Sequence, residues 1–291
     1  MIKITFLLIK PLKPLSFRWG GEFSPILSGP MNKGVSEPLP LPSTIAGFLY
    51  SVTKNAGNKK DVERLSLEDD LNTVKVKLWG PLLYIKGNYY AHSYPGKIIR
   101  LENWKMIEEV DVVNVLKVIN KIGIGIKGDS KAVKESLLYT QQLIKIREGG
   151  ILVETDYEIK DGYYTMGGES SIVKIETLKE VNIPQKGKYG LVISPIILKP
   201  VNRIITIYDL YDMEIEGLGK LRDVIVNKLP VKLGLIGVGF NISYNVRRPI
   251  YPAIMPGSII NYKEKANLGL FRENGWGSVL PVDSVIDTNT H

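Results

Sequence analysis

Short segments of alternating apolar and polar residues recur along the chain, and this alternation is the pattern of half-buried β-strands. Strands are predicted at residues 1–10, 73–78, 82–85, 151–159, 172–178, 191–198, 231–244, 258–262 and around Val279. Residues 137–146 fit a strand or a helix equally well by their spacing. Turns at Gly87-Asn88 and Gly149-Gly150 predict hairpins, the second joining residues 137–146 to residues 151–159.

Helical spacing of apolar residues predicts three helices between these strands. The first begins at Pro42-Ser43-Thr44, where the Ser43 hydroxyl is expected to cap free backbone amides, and it ends at Gly57. The others are predicted at residues 108–122 and 218–228. This order of elements indicates an α+β fold of two small antiparallel sheets, each with helices on one face. Residues 184–187 are the predicted boundary between a domain at 1–183 and a domain at 184–291.

Composition narrows the class of protein. With 44% hydrophobic residues over 291 positions, the chain has enough apolar material for a sizeable core. It has no cysteine, which excludes disulfide bonds and thiolate zinc sites. The apolar run at residues 6–9 is too short for a signal peptide, and no run approaches the roughly 20 apolar residues that span a bilayer. We therefore expect a soluble cytoplasmic protein.

The net charge of +8 favours an acidic partner, and the distribution of charge adds to that inference. Residues 71–101, 181–208 and 224–263 contain Lys and Arg but no Asp or Glu, whereas acids are concentrated at 61–70, 102–111 and 209–216. This segregation suits a basic face that follows a phosphate backbone. Ordinary solvated surface would also account for it, so charge alone leaves both interpretations open.

Motifs typical of enzymes are weak in this sequence. Residues 123–128 match the G-x-G-x-x-G spacing of dinucleotide sites, but a predicted helix, not a strand, precedes them. A loop that brings Lys127 close to a phosphate, or a plain turn, remains open there. The two histidines, His92 and His291, are far apart in sequence, which gives little support to acid–base catalysis or a metal centre. His92 alone fits a structural or stacking role.

Three turns rich in glycine or arginine are candidates for contact with an anion. Gly167-Gly168-Glu169-Ser170 predicts a sharp turn, which is either an anion site or a simple hairpin turn. Arg247-Arg248 precedes a proline-rich loop, and guanidinium groups suit phosphate oxygens. In Gly275-Trp276-Gly277 the indole ring would stack on a base or pack in the core.

Taken in order, short motifs of the chain resemble those of the RAMP superfamily of CRISPR systems, and in particular the third subunit of the type III-B Cmr effector complex. They are Pro42-Ser43-Thr44-Ile45-Ala46-Gly47, Trp79-Gly80-Pro81, residues 131–146 around Leu138-Tyr139-Thr140, Met166-Gly167-Gly168-Glu169-Ser170, Gly237-Val238-Gly239-Phe240 and Ile254-Met255-Pro256-Gly257-Ser258-Ile259-Ile260. Their shared order from end to end carries the resemblance. The sequence departs from the family at its C-terminal glycine loop, reduced to Asn274-Gly275-Trp276-Gly277, and at Glu135-Ser136, where relatives often have an acid and a glycine.

The resemblance implies two ferredoxin-like domains with inserted loops and hairpins, and it favours a strand at residues 137–146. It also implies a non-catalytic subunit without cofactor or metal, which binds the 5′ tag of CRISPR RNA in antiviral defence. Its partners would be the large polymerase-like subunit and the backbone RAMP subunits. The RNA contacts carried over are Ser43, Thr44, Gly167, Gly168, Glu169, Gly275, Trp276 and Gly277. Charge alone adds Arg18, Lys97, Arg100, Lys127, Arg247 and Arg248.

Two alternatives remain open from the sequence. In the first, the chain is a metal-independent RAMP endoribonuclease that processes CRISPR RNA, with His92 and a nearby Tyr or Lys as the acid–base group. In the second, it is a scaffold that touches only protein, and its basic face meets an acidic subunit.

Overall fold

The structure, a computed structural model, describes residues 4–19, 33–55, 78–126, 133–167, 171–199, 209, 211–226, 228–238, 240–241, 246–247 and 250–286. Its helices are α1 (Pro42–Asn55), the one-turn helices α2 (Val112–Val115) and α3 (Leu221–Val224), and a 3-10 helix at Arg272–Asn274. None of these described helices is long and apolar enough to cross a membrane.

Twenty-two short strands make up most of the described chain. Those of the N-terminal half are β1 (Thr5–Pro11), β2 (Lys33–Gly34), β3 (Leu78–Ile85), β4 (Asn88–Ser93), β5 (Lys97–Glu102), β6 (Lys105–Asp111), β7 (Lys117–Ile126), β8 (Val133–Lys145), β9 (Gly149–Thr155), β10 (Gly162–Met166) and β11 (Ser171–Leu178). Those of the C-terminal half are β12 (Tyr189–Val192), β13 (Ile196–Ile197), β14 (Glu214–Ile215), β15 (Gly219–Lys220), β16 (Leu233–Gly237), β17 (Phe240–Asn241), β18 (Val246–Arg247), β19 (Ile250–Ile254), β20 (Ile259–Ile260), β21 (Ala266–Asn267) and β22 (Ser278–Val282).

The N-terminal half is built on one antiparallel sheet with the strand order β10-β11-β1-β9-β3-β4-β5-β6. Its strands β11-β1-β9-β3 have the arrangement of a ferredoxin-like fold, because α1 connects β1 to β3 and β9 lies between those two strands. In the described residues β9 continues to β11 through β10, where such a fold normally has a second helix. The hairpin of β7 and β8 forms a separate sheet with β2.

The C-terminal half repeats this arrangement with interrupted strands. Gly190 pairs with Ile260 and Ile196 pairs with Ile254, so six residues separate the pairs on both strands and the register is continuous. β12 and β13 are therefore two parts of one strand, and β20 and β19 are two parts of its neighbour. With β22 on one side and β16 on the other, the order is again that of a ferredoxin-like fold. The predicted α+β class is confirmed.

Alternation along the central strands builds two cores. Leu7 and Ile9 of β1 face α1 and join a cluster with its apolar residues, whereas Leu8 faces the other side of the sheet. On that other side the cluster includes Leu191 and Leu280 of the C-terminal half. The two halves are thus packed together through the sheet face opposite α1, and the boundary predicted at residue 183 lies between β11 and β12.

Several predicted elements differ from the observed ones. Residues 108–122 are not a helix: they contain the end of β6, the single turn of α2 and the start of β7. The segment is rich in valine and isoleucine, which favour strands. Its backbone hydrogen bonds are made with β5 and β8, and the spacing of its apolar residues gives no sign of these partners. The helix predicted at 218–228 shrinks to α3, because Gly217 and Gly219 adopt φ angles of 81° and 110° just before it.

The two predicted hairpins have different outcomes. The first is confirmed, with Lys86 and Gly87 at positive φ as its two turn residues and Asn88 already paired with Ile85. The second is wrong, because β8 pairs with β7 and β2 while β9 pairs with β1 and β3. Strand β9, with the apolar residues Ile151, Leu152 and Val153, lies in the centre of the large sheet, where both of its faces are buried. The strand favoured at 137–146 is confirmed as part of β8.

Candidate nucleic-acid interface

A small cleft at the start of α1 brings together three residues that were predicted separately as RNA contacts. Arg18, Thr44 and Gly167 all line this cleft, whose volume is about 160 Å³. The other lining residues are Pro14, Leu15, Ser16, Phe17, Gln141, Met166 and Ser171. We call it the α1 cleft.

The segment that carries Arg18 is held in place from both sides. On one side Leu15 and Ile144 of β8 exchange two backbone hydrogen bonds, with N–O distances of 2.9 and 2.7 Å. On the other side the Phe17 amide donates to the Ser36 hydroxyl at 2.8 Å. An extended segment fixed at both edges holds its side chains in constant positions, which suits a binding site.

The start of α1 supplies Thr44 and differs in detail from the prediction. Helix α1 begins at Pro42, and the Leu41 carbonyl accepts the Thr44 amide at 2.9 Å. Ser43 therefore lies in the first helical turn and is not the capping residue. Proline suits the first helical position because it has no amide to leave unpaired. The positive end of the dipole of this 14-residue helix points toward Thr44 and the cleft.

The turn between β10 and β11 supplies Gly167. Met166 and Ser171 are the last described pair of this hairpin, and Gly167 follows Met166 directly. Gly167 has a φ of 78° and is exposed, and a Cβ added there would meet nothing within 4 Å. Its backbone is thus open to a ligand. Gly168 and Glu169 lie outside the described residues.

The chemistry of the α1 cleft suits an anionic or hydroxylated ligand. None of its described lining residues is acidic, and they offer a guanidinium group, three hydroxyls and the Gln141 amide. The Ser16 hydroxyl oxygen is buried and has no hydrogen-bond partner. Buried hydroxyls rarely stay unpaired, so this oxygen marks a position where a ligand atom would be stabilised. Sequence reasoning missed Ser16, Gln141 and Ser171, which no motif distinguishes.

Lys97 and Arg100 do not lie at the cleft. Both are on β5, five strands away from β11 in the sheet, which corresponds to roughly 24 Å at about 4.8 Å per strand. Arg100 is paired with Glu102 at 2.9 Å and Glu108 at 3.1 Å, and Lys97 with Glu109 at 3.5 Å. Acidic residues on β5 and β6 therefore balance their charge locally, and their role as RNA contacts stays a prediction.

The Gly275-Trp276-Gly277 loop is a packing element in this structure. Trp276 is only 1% exposed and belongs to a core cluster with Trp19 and Leu41. A Cβ on Gly275 would lie 2.9 Å from the Leu78 Cβ, and one on Gly277 would lie 1.8 Å from the Leu268 carbonyl oxygen. The two glycines are required because the chain packs closely against them. Of the two roles predicted for Trp276, stacking on a base or packing in the core, its buried ring fits packing in the core. The loop still supports the α1 cleft, because Trp19 follows Arg18 and Leu41 precedes α1.

The structure gives little support for a ligand site at the remaining predicted positions. Gly123 and Gly125 are part of strand β7, so the G-x-G-x-x-G segment does not form the strand-to-helix turn of a dinucleotide site. Lys127 and Arg248 lie outside the described residues. Arg247 is placed by its backbone in β18, opposite Phe240. Among the described residues no three His, Asp or Glu side chains gather as metal ligands would.

His92 is fully buried and hydrogen-bonded to the Glu37 carboxylate. Its Nε2 lies 2.9 Å from Glu37 Oε2, which also accepts the Gly96 amide at 2.9 Å, and the imidazole is 0% exposed. The Trp19 ring packs edge-on at 4.4 Å. Burial lowers the pKa of His92 despite the carboxylate. Burial raises the pKa of Glu37, but the hydrogen bond and charge of His92 and the Gly96 amide outweigh it, so the net shift is downward. A neutral, enclosed imidazole presents no accessible atom for acid–base catalysis on a substrate.

A comparison with known proteins supports the resemblance that was inferred from the order of the short motifs. The chain is 29% identical over 280 residues to the CRISPR system CMR subunit Cmr3 of Saccharolobus solfataricus, which covers 87% of this chain and 84% of that protein. The resemblance to Cmr3-type RAMP proteins is confirmed. No family model matches the chain.

Solved structures share the fold of this chain. A chain of the type III-B Cmr-β complex bound to cognate target RNA superimposes with a TM-score of 0.62 at 24% identity, over 89% of this chain and 86% of that one. A structure of Cmr-β with cognate target RNA and AMPPnP gives a TM-score of 0.61 at 22% identity, with the same coverage. The fold is therefore common to them, while the RNA contacts of this chain stay predictions.

Proposed function

We propose that the chain is a non-catalytic RNA-binding subunit of a type III-B Cmr effector complex, and that it holds the 5′ tag of the CRISPR RNA at the α1 cleft. The observation that carries this proposal is the convergence of Arg18, Thr44 and Gly167 in one cleft without a described acidic residue. The similarity to a Cmr3 subunit supports it independently. In the assembled complex the chain would bridge the large polymerase-like subunit and the backbone RAMP subunits.

The α1 cleft has the groups that this role requires. Arg18 would pair with a phosphate, and a charge-assisted hydrogen bond of this kind is worth about 1.5–3 kcal/mol. The hydroxyls of Thr44 and Ser16 and the Gln141 amide would contact sugar hydroxyls and base edges, which is how proteins read single-stranded RNA. The open backbone at Gly167 would let the RNA approach closely.

The proposal predicts that Arg18→Gln weakens binding of tagged CRISPR RNA about 10- to 100-fold, because one charged contact of 1.5–3 kcal/mol is lost. Thr44→Val should weaken it less. Binding is measured in the assembled complex with RNA that carries or lacks the 5′ tag. Arg222→Gln is the matched control. Arg222 lies in α3, is exposed, and pairs with Asp212 at 2.7 Å. Equal affinity for both RNAs in the wild type would refute recognition of the tag.

The non-catalytic part of the proposal has its own test. Purified chain is incubated with repeat RNA in the presence of a chelator, and no cleavage is expected, because His92 is enclosed against Glu37 and Trp19. Cleavage that is abolished by His92→Gln would instead support a metal-independent endoribonuclease.

A further inference from the structure

One face of the β7–β8 hairpin carries lysines that form no ion pair with any described residue. In the register of the hairpin, Lys117 pairs with Lys145, Ile119 with Leu143 and Lys121 with Gln141. Side chains alternate between the two faces of a strand, so these six residues share one face. The opposite face holds Val118 and Ile144, which pack against the α1 core. We call the six-residue set the hairpin outer face.

The charge on this face is unbalanced. Residues 117–123 and 140–145 contain no Asp or Glu. Lys117 and Lys121 are exposed and Lys145 is half-buried, and the structure gives none of the three an ion pair with any described residue. By contrast, Lys10, Lys97, Lys174 and Lys199 are each paired with a glutamate.

The pairing of Lys117 with Lys145 is unfavourable in the free protein. Residues directly opposite each other have Cβ atoms about 4.5–5.5 Å apart, and like charges at that distance destabilise a sheet. A polyanion lying across the two ammonium groups would turn this repulsion into attraction. The arrangement is therefore better suited to a bound phosphate chain than to the free state.

The hairpin outer face leads directly away from the α1 cleft. Gln141 lines the cleft, and Lys121 is its cross-strand partner. Lys117 and Lys145 follow four residues farther along the hairpin, roughly 13 Å at about 3.3 Å per residue. Between them, Ile119 and Leu143 are half-buried and present apolar surface on which sugars or bases could lie.

We propose that the RNA strand held at the α1 cleft continues along the hairpin outer face, with one phosphate at Lys121 and the next contacts at Lys117 and Lys145. This inference rests on the proposed function, since it extends the path of the same RNA. It assigns to the base of the hairpin a contact with the RNA backbone, independent of base sequence.

The test uses purified full-length chain and a single-stranded RNA that contains the tag, with fluorescence anisotropy as the readout across a salt series. Changing Lys117 and Lys145 together to glutamine should lower the magnitude of the slope of log affinity against log salt by about 1.4, since each phosphate contact contributes about 0.7 for single strands. Lys105→Gln with Lys188→Gln is the control, because both lysines are exposed, unpaired and far from the hairpin. The control pair should leave the slope unchanged.

Lys145→Glu separates a binding role from a structural one. It replaces a repulsive cross-strand pair with an attractive one, so thermal stability of the free protein should stay equal or rise while RNA affinity falls. A loss of both stability and affinity would mean a structural role and would overturn the inference.

Failure of this inference is distinguishable from failure of the proposed function. If Arg18→Gln weakens RNA binding and the lysine variants do not, the cleft binds RNA but the path along the hairpin is wrong. The path is also wrong if the lysine variants lose a partner subunit and keep their RNA affinity. If the wild type binds no tagged RNA in the assembled complex either, the proposed function itself is wrong.

Discussion

Replacing Trp276 with alanine is expected to lower the free energy of unfolding by about 3–5 kcal/mol, the usual cost of deleting a buried aromatic side chain. The ring is 1% exposed and packs with Trp19 and Leu41 of the N-terminal half and with Ile236 and Met255 of the C-terminal half. The cavity would therefore open at the contact between the halves. Urea titration followed by circular dichroism measures the loss.

The same variant should bind RNA more weakly when it is folded, because Trp19 and Leu41 hold the two segments that form the α1 cleft. Tyr163→Ala is the matched control, since Tyr163 is 68% exposed and its removal should change stability by no more than about 0.5 kcal/mol. If Trp276→Ala is as stable as the wild type and loses only RNA crosslinking, the ring stacks on a base and its assignment to the core is wrong.

Local sequence pattern predicted the strands of this fold better than its helices. The strands predicted at residues 1–10, at 172–178 and around Val279 correspond to β1, β11 and β22, and the alternation is clean in β11. At residues 108–122 the apolar residues happen to fall at helical intervals, while the decisive partners, β5 and β8, are brought to the segment only by the tertiary fold. The strand predicted at residues 191–198 is broken into β12 and β13 at Ser194-Pro195, because proline has no amide hydrogen to donate to a neighbouring strand. The apolar residues on both sides of Pro195 had favoured a continuous strand.

The α1 cleft shows a similar division between local and tertiary information. Each of Arg18, Thr44 and Gly167 could be predicted as a candidate from its own segment, but their convergence depends on the packing of α1 against β10 and on the pairing of Leu15 with Ile144. The distance between Arg100 and the cleft has the same origin. Its partner Glu108 is eight residues away in sequence, and only the turn between β5 and β6 brings them together.

Replacing His92 with leucine is expected to destabilise the protein by about 1.5–3 kcal/mol at pH 7, because it removes a buried hydrogen bond to the charged Glu37 carboxylate. The Glu37 carboxylate would stay buried. Of the two groups that contact its Oε2 atom, His92 and the Gly96 amide, it would keep the Gly96 amide. Thermal or urea unfolding across a pH series measures the loss. His92→Gln should cost less, because the glutamine amide can still donate to Glu37.

The sign of the pH dependence distinguishes this pair from ordinary packing. In the wild type the pKa of His92 is lowered from 6.5 and that of Glu37 from 4.5, and the nearby charge of Lys232 adds to the downward shift of His92. The unfolded chain therefore binds protons more readily, so stability from His92 is lost as the pH falls below about 6.5 and stability from Glu37 below about 4.5. In His92→Leu the burial of Glu37 is no longer offset, its pKa rises, and protonation relieves the buried charge as the pH falls. The stability difference between wild type and variant should thus be largest near neutral pH and shrink on acidification. A difference that stays constant from pH 7 to pH 4.5 would mean that His92 acts through its volume alone.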